Sequence, residues 1–358
     1  MSQLPTKKCC RAVDGGNGNL QLRRGAEEQE PRADSPNPND FIRSAELVLP
    51  WLASSELAYV SLTCKALHRA AKSLTLRRSL DASRGFEKFP VPFVNSVDDL
   101  PYAYFLYGPS QLLHSLDRQP WGSVSPHSAV TNSHMADAAS GDVRVGCDCE
   151  RCGGGGSSCP CLSLEGLDGV ATECGPSCGC ESECGNRITQ SGVSVKLKIA
   201  RVRGKGWGLF ADQLIRERQF VCEYAGELLT TKEAQRRQQE YDRLSSTGHF
   251  SSALLVVREH LPSGKACLRL NIDATRVGNV ARFINHSCDG GNLSTVLMRS
   301  TGALLPRLCF FASRNIARDE ELSFSYGETR PRPDSESRPC FCFCGASSCS
   351  GTLPSEHT

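Results

Sequence analysis

The sequence predicts a mainly β fold of short strands, with a small helical segment near the N-terminus and a cysteine-rich module on either side of the β region. Three observations predict it. Short apolar runs alternate with turn residues from Val193 to Glu328, and a leucine pattern near helical spacing is confined to Asp40–Leu80. Thirteen of the twenty cysteines fall in two clusters or in the aromatic-rich block between them.

A chain of 358 residues is long enough for two or three domains and a sizeable core. Lys+Arg number 41 against Asp+Glu 39, so no global basic charge argues for nucleic acid. No run of eighteen apolar residues is present, and no membrane span is expected. Lys7-Lys8 is not followed by an apolar stretch, so no secretory signal is expected. The cysteines are therefore assigned to a reducing compartment, where metal binding outranks disulfides.

Residues 1–39 are rich in Gly, Pro, Asn and Glu and read as a disordered leader. Residues 40–80 carry Leu47, Leu49, Leu52, Leu57, Val60, Leu62, Leu67 and Leu74, which Pro50 divides into short helices. Through Val48-Leu49-Pro50, Leu57 to Lys65 and Leu67, this stretch resembles an F-box, a small helical module that would recruit a Skp-type adaptor; a helical bundle packing on its own core is the other reading. Residues 81–145 read as a linker or N-terminal flank, loop-like from 108 onward. Strands are expected at Val193–Ile199, Gln219–Tyr224, Ala253–Val257, Leu268–Ile272, Leu308–Ala312 and Leu322–Tyr326. One long helix is expected over Thr231–Leu244, capped by Thr230 or Thr231. Pro331–Pro339 reads as a flexible link to a last module at 340–351.

The first cysteine cluster, at 146–184, holds Cys147, Cys149, Cys152, Cys159, Cys161, Cys174, Cys178, Cys180 and Cys184. Three tetrahedral zincs need twelve metal–sulfur bonds, which these nine thiolates supply if three of them bridge two metals. Cys342, Cys344 and Cys349 form the second cluster and need a fourth ligand, which Cys288 can donate from far along the chain. Four zincs are expected in all. A DNA-reading zinc cluster would place Lys and Arg between its ligands. Between Gly146 and Cys184 stand seven acidic residues and one basic, Arg151, so no sequence-specific DNA binding is expected.

The block between the clusters contains Lys205-Gly206-Trp207-Gly208 at a tight turn, Glu223-Tyr224-Ala225-Gly226-Glu227, Arg282-Phe283-Ile284-Asn285-His286-Ser287-Cys288 and Glu321 to Gly327. Glycines let backbone approach a ligand, and Trp207 offers a flat apolar wall. Singly these signals are weak, since tyrosines are often core and Asn-His often caps a turn. In this order, between these cysteines, residues 146–351 resemble the SET-domain protein lysine methyltransferases of the Su(var) class, with pre-SET and post-SET zinc modules, most like the plant Su(var)-related group.

The resemblance implies a SET fold over 193–328, in which Asn285-His286 threads as a pseudoknot under the strand ending at Tyr326. It implies S-adenosyl-L-methionine as donor, held by Lys205, Gly206, Trp207, Asn285, His286 and Tyr326. Tyr326, Tyr224 and His286 would be the catalytic residues, with Tyr224 facing the target amine. Phe324, two residues before Tyr326, implies room for more than one methyl. The implied partner is the histone H3 tail on the nucleosome, at the heterochromatin lysine of its first A-R-K-S, and the implied location is nuclear, on chromatin. Two departures concern peptide recognition: Asp289-Gly290-Gly291-Asn292 follows Cys288 where Asp-Pro-Asn is usual, and Phe250 stands where a donor-contacting tyrosine is expected. A ligase adaptor built on 40–80 is the alternative function.

Overall fold

A computed structural model describes residues 38–113, 146–150, 152, 159–161, 170–245, 250–260, 267–303, 305–327 and 341–354. Residues 1–37 of the expected leader, Gly153–Gly156 and the link at Pro331–Pro339 lie outside the described residues, while positions 38–39 belong to the first helix. The described residues begin with three helices, α1 (Pro38–Val48), α2 (Ser54–Ser61) and α3 (Lys65–Leu80), with a 3-10 turn at Leu49–Trp51. Proline has no N–H to continue α1. Leu49, Leu57, Leu67, Ala71 and Leu74 meet in a small core of their own.

Arg78 ties this helical unit to the segment after it. Its guanidinium donates to Tyr102 Oη and to the Pro50 and Leu52 carbonyls, each at 2.9 Å, and stacks over the Tyr104 ring at 4.7 Å. The described part of the segment expected as linker or N-terminal flank adds three short strands to the sheets. Strand β1 (Phe93–Val94) pairs parallel with β5 (Leu197–Val202), β2 (Leu106–Tyr107) with β10 (Cys267–Gly278), and β3 (Leu112–Leu113) with β8 (Gly226–Leu229). Two-residue strands carry no periodicity, so the sequence pattern could not reveal them.

The remaining elements are β4 (Val170–Glu173), β6 (Gly206–Ala211), β7 (Phe220–Glu223), α4 (Thr231–Ser245), β9 (Leu254–His260), a 3-10 turn at Val280–Phe283, β11 (Asn285–His286), β12 (Leu293–Ser300), β13 (Arg307–Ala312) and β14 (Ser323–Phe324). They form a three-stranded sheet β1-β5-β6, a sheet β2-β10-β8-β3 with β9 also on β10, a four-stranded sheet β4-β12-β13-β7, and the parallel pair β11-β14. The shared core includes Ile199, Leu209, Ile215, Ile272, Phe310 and Leu322. Helix α4 starts where expected, with the Glu233 amide donating to Thr230 Oγ1 at 3.3 Å. Gly206 opens β6 rather than a turn, the turn lying just before it, with Gly204 at φ +83°. No described helix is long and apolar enough to cross a membrane.

Strand β4 leaves the first cysteine cluster and docks on β12, parallel, with Glu173 opposite Ser300. Glu173 is 2% exposed and accepts from Thr189 Oγ1 at 2.8 Å, Ser300 Oγ at 3.2 Å and the Arg307 guanidinium. Arg307 also donates to Glu223 at 2.9 Å. One cation thus joins a carboxylate beside Cys174 to a carboxylate beside Tyr224.

Candidate active site

Strand β11 runs under β14, with Asn285 opposite Ser323 and His286 opposite Phe324. This brings the sequence-predicted residues to one place. His286 Nδ1 accepts the Tyr326 backbone N–H at 3.1 Å, and its Nε2 faces Cys288 Sγ at 3.2 Å. Both ring nitrogens are engaged, and burial lowers the imidazole pKa, so the ring has no spare nitrogen for proton transfer. Asn285 Nδ2 donates to Glu321 Oε1 at 2.8 Å and to the Trp207 carbonyl at 3.3 Å. Lys205 Nζ meets the other Glu321 oxygen at 2.7 Å. Glu321 is therefore the member of this cradle that the sequence reading passed over, its only signal being its place in the Glu321–Gly327 motif.

The cradle closes on residue 208 because it lacks a side chain: a Cβ there would lie 2.9 Å from Glu321 Oε1 and 3.0 Å from Asn285 Nδ2. Trp207 stands edge-on to Phe93 at 5.2 Å and carries the Arg201 guanidinium at 5.4 Å, so contacts from β1 and β5 set its orientation. A cation, a carboxylate, an amide and an indole gathered in one place suit the head group and ring of an amino-acid nucleoside.

Beyond the cradle the aromatic rings form a row. Tyr224 lies 6.4 Å from Phe310, Phe310 4.8 Å from Phe324, and Phe324 5.0 Å from Tyr326. The Tyr224 hydroxyl donates to the Ala253 carbonyl at 2.8 Å and the Tyr326 hydroxyl to the Ile284 carbonyl at 2.7 Å. Burial raises both phenol pKa values well above the usual tyrosine range, and the Glu321 carboxylate further opposes a Tyr326 phenolate. Both stay protonated near neutral pH. Arg282 is no surface charge: it packs between Phe105 and Phe283 at 4.8 and 5.0 Å, donates to the Ala274 and Thr275 carbonyls, and is pushed down to about 10 by burial. Phe250 packs on Tyr241 of α4, ring centroids 5.2 Å apart, rather than in the cradle.

The cysteines assemble as their spacing implied. All nine of the first cluster group together, seven of them buried. In tetrahedral zinc sites a Zn–S bond of about 2.3 Å puts neighbouring sulfurs about 3.8 Å apart. Cys147 Sγ lies 3.6 Å from Cys152 and 3.8 Å from Cys174, and Cys161 lies 3.7 Å from Cys178. Cys288, Cys342, Cys344 and Cys349 form a separate group whose sulfurs all lie within 4.8 Å of one another. No described cysteine is in a disulfide. Burial pushes the Cys147 thiol up to about 12, so a cation at the cluster would be what holds its sulfur as thiolate near neutral pH. The donor sets fit zinc. Cys222 and Cys309 are buried away from both groups. Cys340 and the Cys267 side chain lie outside the described residues.

Comparison with known proteins agrees with this geometry. The SET-domain family model matches residues 206–327. Histone-lysine N-methyltransferase SUVR3 of Arabidopsis thaliana is 56% identical over 334 residues, 90% of this chain and 94% of the relative. The methyltransferase domain of human histone-lysine N-methyltransferase SETMAR superposes with TM-score 0.57 at 28% identity, covering 77% of this chain and 97% of that one. KRYPTONITE, solved with mCHH DNA, an H3(1-15) peptide and SAH, superposes with TM-score 0.56 at 27% identity, covering 76% of this chain and 53% of that one. An aromatic row with a tyrosine at each end, a threaded Asn-His strand beneath it and cysteine modules on both sides, together with these likenesses, make the chain a member of the SET-domain histone-lysine N-methyltransferases of the Su(var) type.

Proposed function

We propose that the protein transfers methyl groups from S-adenosyl-L-methionine to the ε-amine of a histone H3 lysine, at the first A-R-K-S of the tail. The observation that carries the reading is the pair of phenols, buried Tyr224 and half-buried Tyr326, closing an aromatic row beside the cradle of Lys205, Trp207, Asn285 and Glu321. The H3 peptide and SAH bound to KRYPTONITE support the substrate and donor assignments.

A lysine amine must lose its proton before attack, and its ordinary pKa is about 10.4. When bound, the donor supplies a methyl on a cationic sulfur, and that positive charge lowers the pKa of an amine beside it. The aromatic row acts in the same direction, because burial penalises the charged amine. Neither phenol is a base. Each hydroxyl donates its own proton to a backbone carbonyl, which leaves the phenol oxygens free to accept an amine N–H and weak C–H contacts. His286 positions the Tyr326 backbone and Cys288 instead of moving a proton. Phe324 places no hydroxyl against the amine, so a methylated amine can turn and react again.

The zinc count extends the same reading. Cys147, Cys152 and Cys174 would each serve two ions, with the pairs Cys149/Cys159, Cys161/Cys178 and Cys180/Cys184 completing three ligand sets; the close four-sulfur groups Cys147/Cys149/Cys152/Cys159 and Cys152/Cys174/Cys180/Cys184 and the Cys161–Cys178 approach support that division. A fourth zinc would be held by Cys288, Cys342, Cys344 and Cys349. Residues 146–184 and 340–351 thus flank the catalytic domain, 193–328. A nuclear, chromatin-bound location follows from the substrate. The ligase-adaptor reading of 40–80 gains no support from the relatives named above.

The test is mass spectrometry of core histones and nucleosomes incubated with zinc-loaded protein and donor, with Tyr326→Phe as control. Methyl-sized mass steps on one H3 lysine, lost in the variant, are expected. Steps on a non-histone protein alone would move the substrate, and undiminished steps with Tyr326→Phe would overturn the site.

A further inference from the structure

We infer that Asn279 is a positioning residue whose single side-chain amide locks the Tyr224 strand to the turn that holds the Tyr326 hydroxyl. The inference rests on the tyrosine pair proposed above. Asn279 is 1% exposed and sits just past β10. Its Nδ2 donates to the Glu223 carbonyl at 2.8 Å, and its Oδ1 accepts from the Ala225 amide at 3.4 Å. These are the peptide groups on either side of Tyr224. The same Oδ1 accepts from the Ala281 amide at 3.1 Å, capping the turn Val280–Phe283. That turn delivers Ile284, whose carbonyl receives the Tyr326 hydroxyl.

The reach of the amide depends on close backbone approach. A Cβ at position 278 would lie 2.9 Å from the Ala225 carbonyl oxygen, and one at 226 would lie 2.7 Å from the Asp273 carbonyl oxygen. Two glycines thus bring β8 and the end of β10 within reach of one short side chain. Asparagine alone offers a donor and an acceptor at this length: aspartate lacks the donor, serine is too short, and glutamine is one carbon too long. A carboxamide error here displaces both hydroxyls together, because no covalent neighbour links Tyr224 to Ile284.

Capping a turn is the plainer role, and Asp caps as well as Asn. Asn279→Asp therefore keeps the cap and removes the donor to Glu223. In the zinc-loaded full chain, with a histone H3 peptide and saturating donor, this variant is expected to lose kcat by about 10- to 100-fold, the scale of a misplaced reacting group. Donor affinity by calorimetry should stay within about twofold, since the cradle residues are untouched. Turnover equal to wild type would leave only the cap and overturn the inference. If the Asp variant does not fold, Asn279→Ser in a double-mutant cycle with Tyr326→Phe decides it. Non-additive losses support the clamp, and additive losses overturn it. Full turnover by Tyr326→Phe alone would instead overturn the tyrosine reading, a separate failure.

Discussion

The two cysteine modules use the same ligand chemistry in opposite ways. The first draws all nine thiols from 146–184, buries seven of them, and reaches the catalytic domain through β4 and the Glu173–Arg307–Glu223 bridge. The second takes one thiol, Cys288, from 54 residues before its nearest tail partner, Cys342, and places it against His286 of the site itself. The first is a scaffold whose core is sulfur, arranged as a metal would need it. The second is a clasp whose closure is sensed directly at Tyr326. Removing metal from one should cost fold, and from the other, function.

The largest expected effect belongs to Cys174→Ser, which under the proposed three-zinc arrangement would remove a ligand shared by two zincs. Structural zinc contributes on the order of 10 kcal/mol of folding energy, comparable to a whole domain's stability. Loss of more than one zinc by native mass spectrometry, with loss of cooperative unfolding, is expected; loss of none would show that Cys174 is not a bridge. Next comes Arg307→Met, which leaves Glu173 and Glu223 as uncompensated buried carboxylates at a cost of about 3–5 kcal/mol. The Glu223 carboxyl is already raised by burial, so the loss should shrink as pH falls and Glu223 protonates. Zinc content should stay at wild type in this variant. A smaller effect on stability belongs to Cys349→Ser: one zinc is lost, the melting temperature moves by a few degrees, and turnover falls at least about tenfold. An inverted pattern, with unfolding from the tail and mere slowing from Cys174→Ser, would break the distinction between scaffold and clasp. The smallest is Phe324→Tyr, which should leave stability near wild type and shift long-time product toward one methyl, read by intact-peptide mass.

The difference between the modules also explains what could be read in advance. Spacing revealed the nine-thiol cluster because its ligands are close in sequence and its stoichiometry demands bridges. Helix α4 was marked by Thr230 and Glu233, and β7 and β13 by apolar runs. Strand β12 was hidden, since only Leu293, Leu297 and Ser300 are buried along it. The parallel pairings of 93–94, 106–107 and 112–113 are too short to leave a pattern. Glu321 and Asn279 look ordinary where they stand, because their partners are 36 and 56 residues away.

By itself the sequence determined the inventory of this protein: thiols in metal-binding spacing, two tyrosines, a glycine-opened loop and an Asn-His pair, in the order of one enzyme family. Inventory is a matter of covalent order, so motif and spacing convey it. The tertiary structure alone decided which thiols share a group, which carbonyl holds each phenol, that both His286 nitrogens are engaged, and that Arg307 and Asn279 join distant strands. Those relations arise from long-range packing, where a partner is chosen by reach, burial and an unsatisfied hydrogen bond rather than by neighbourhood in the chain.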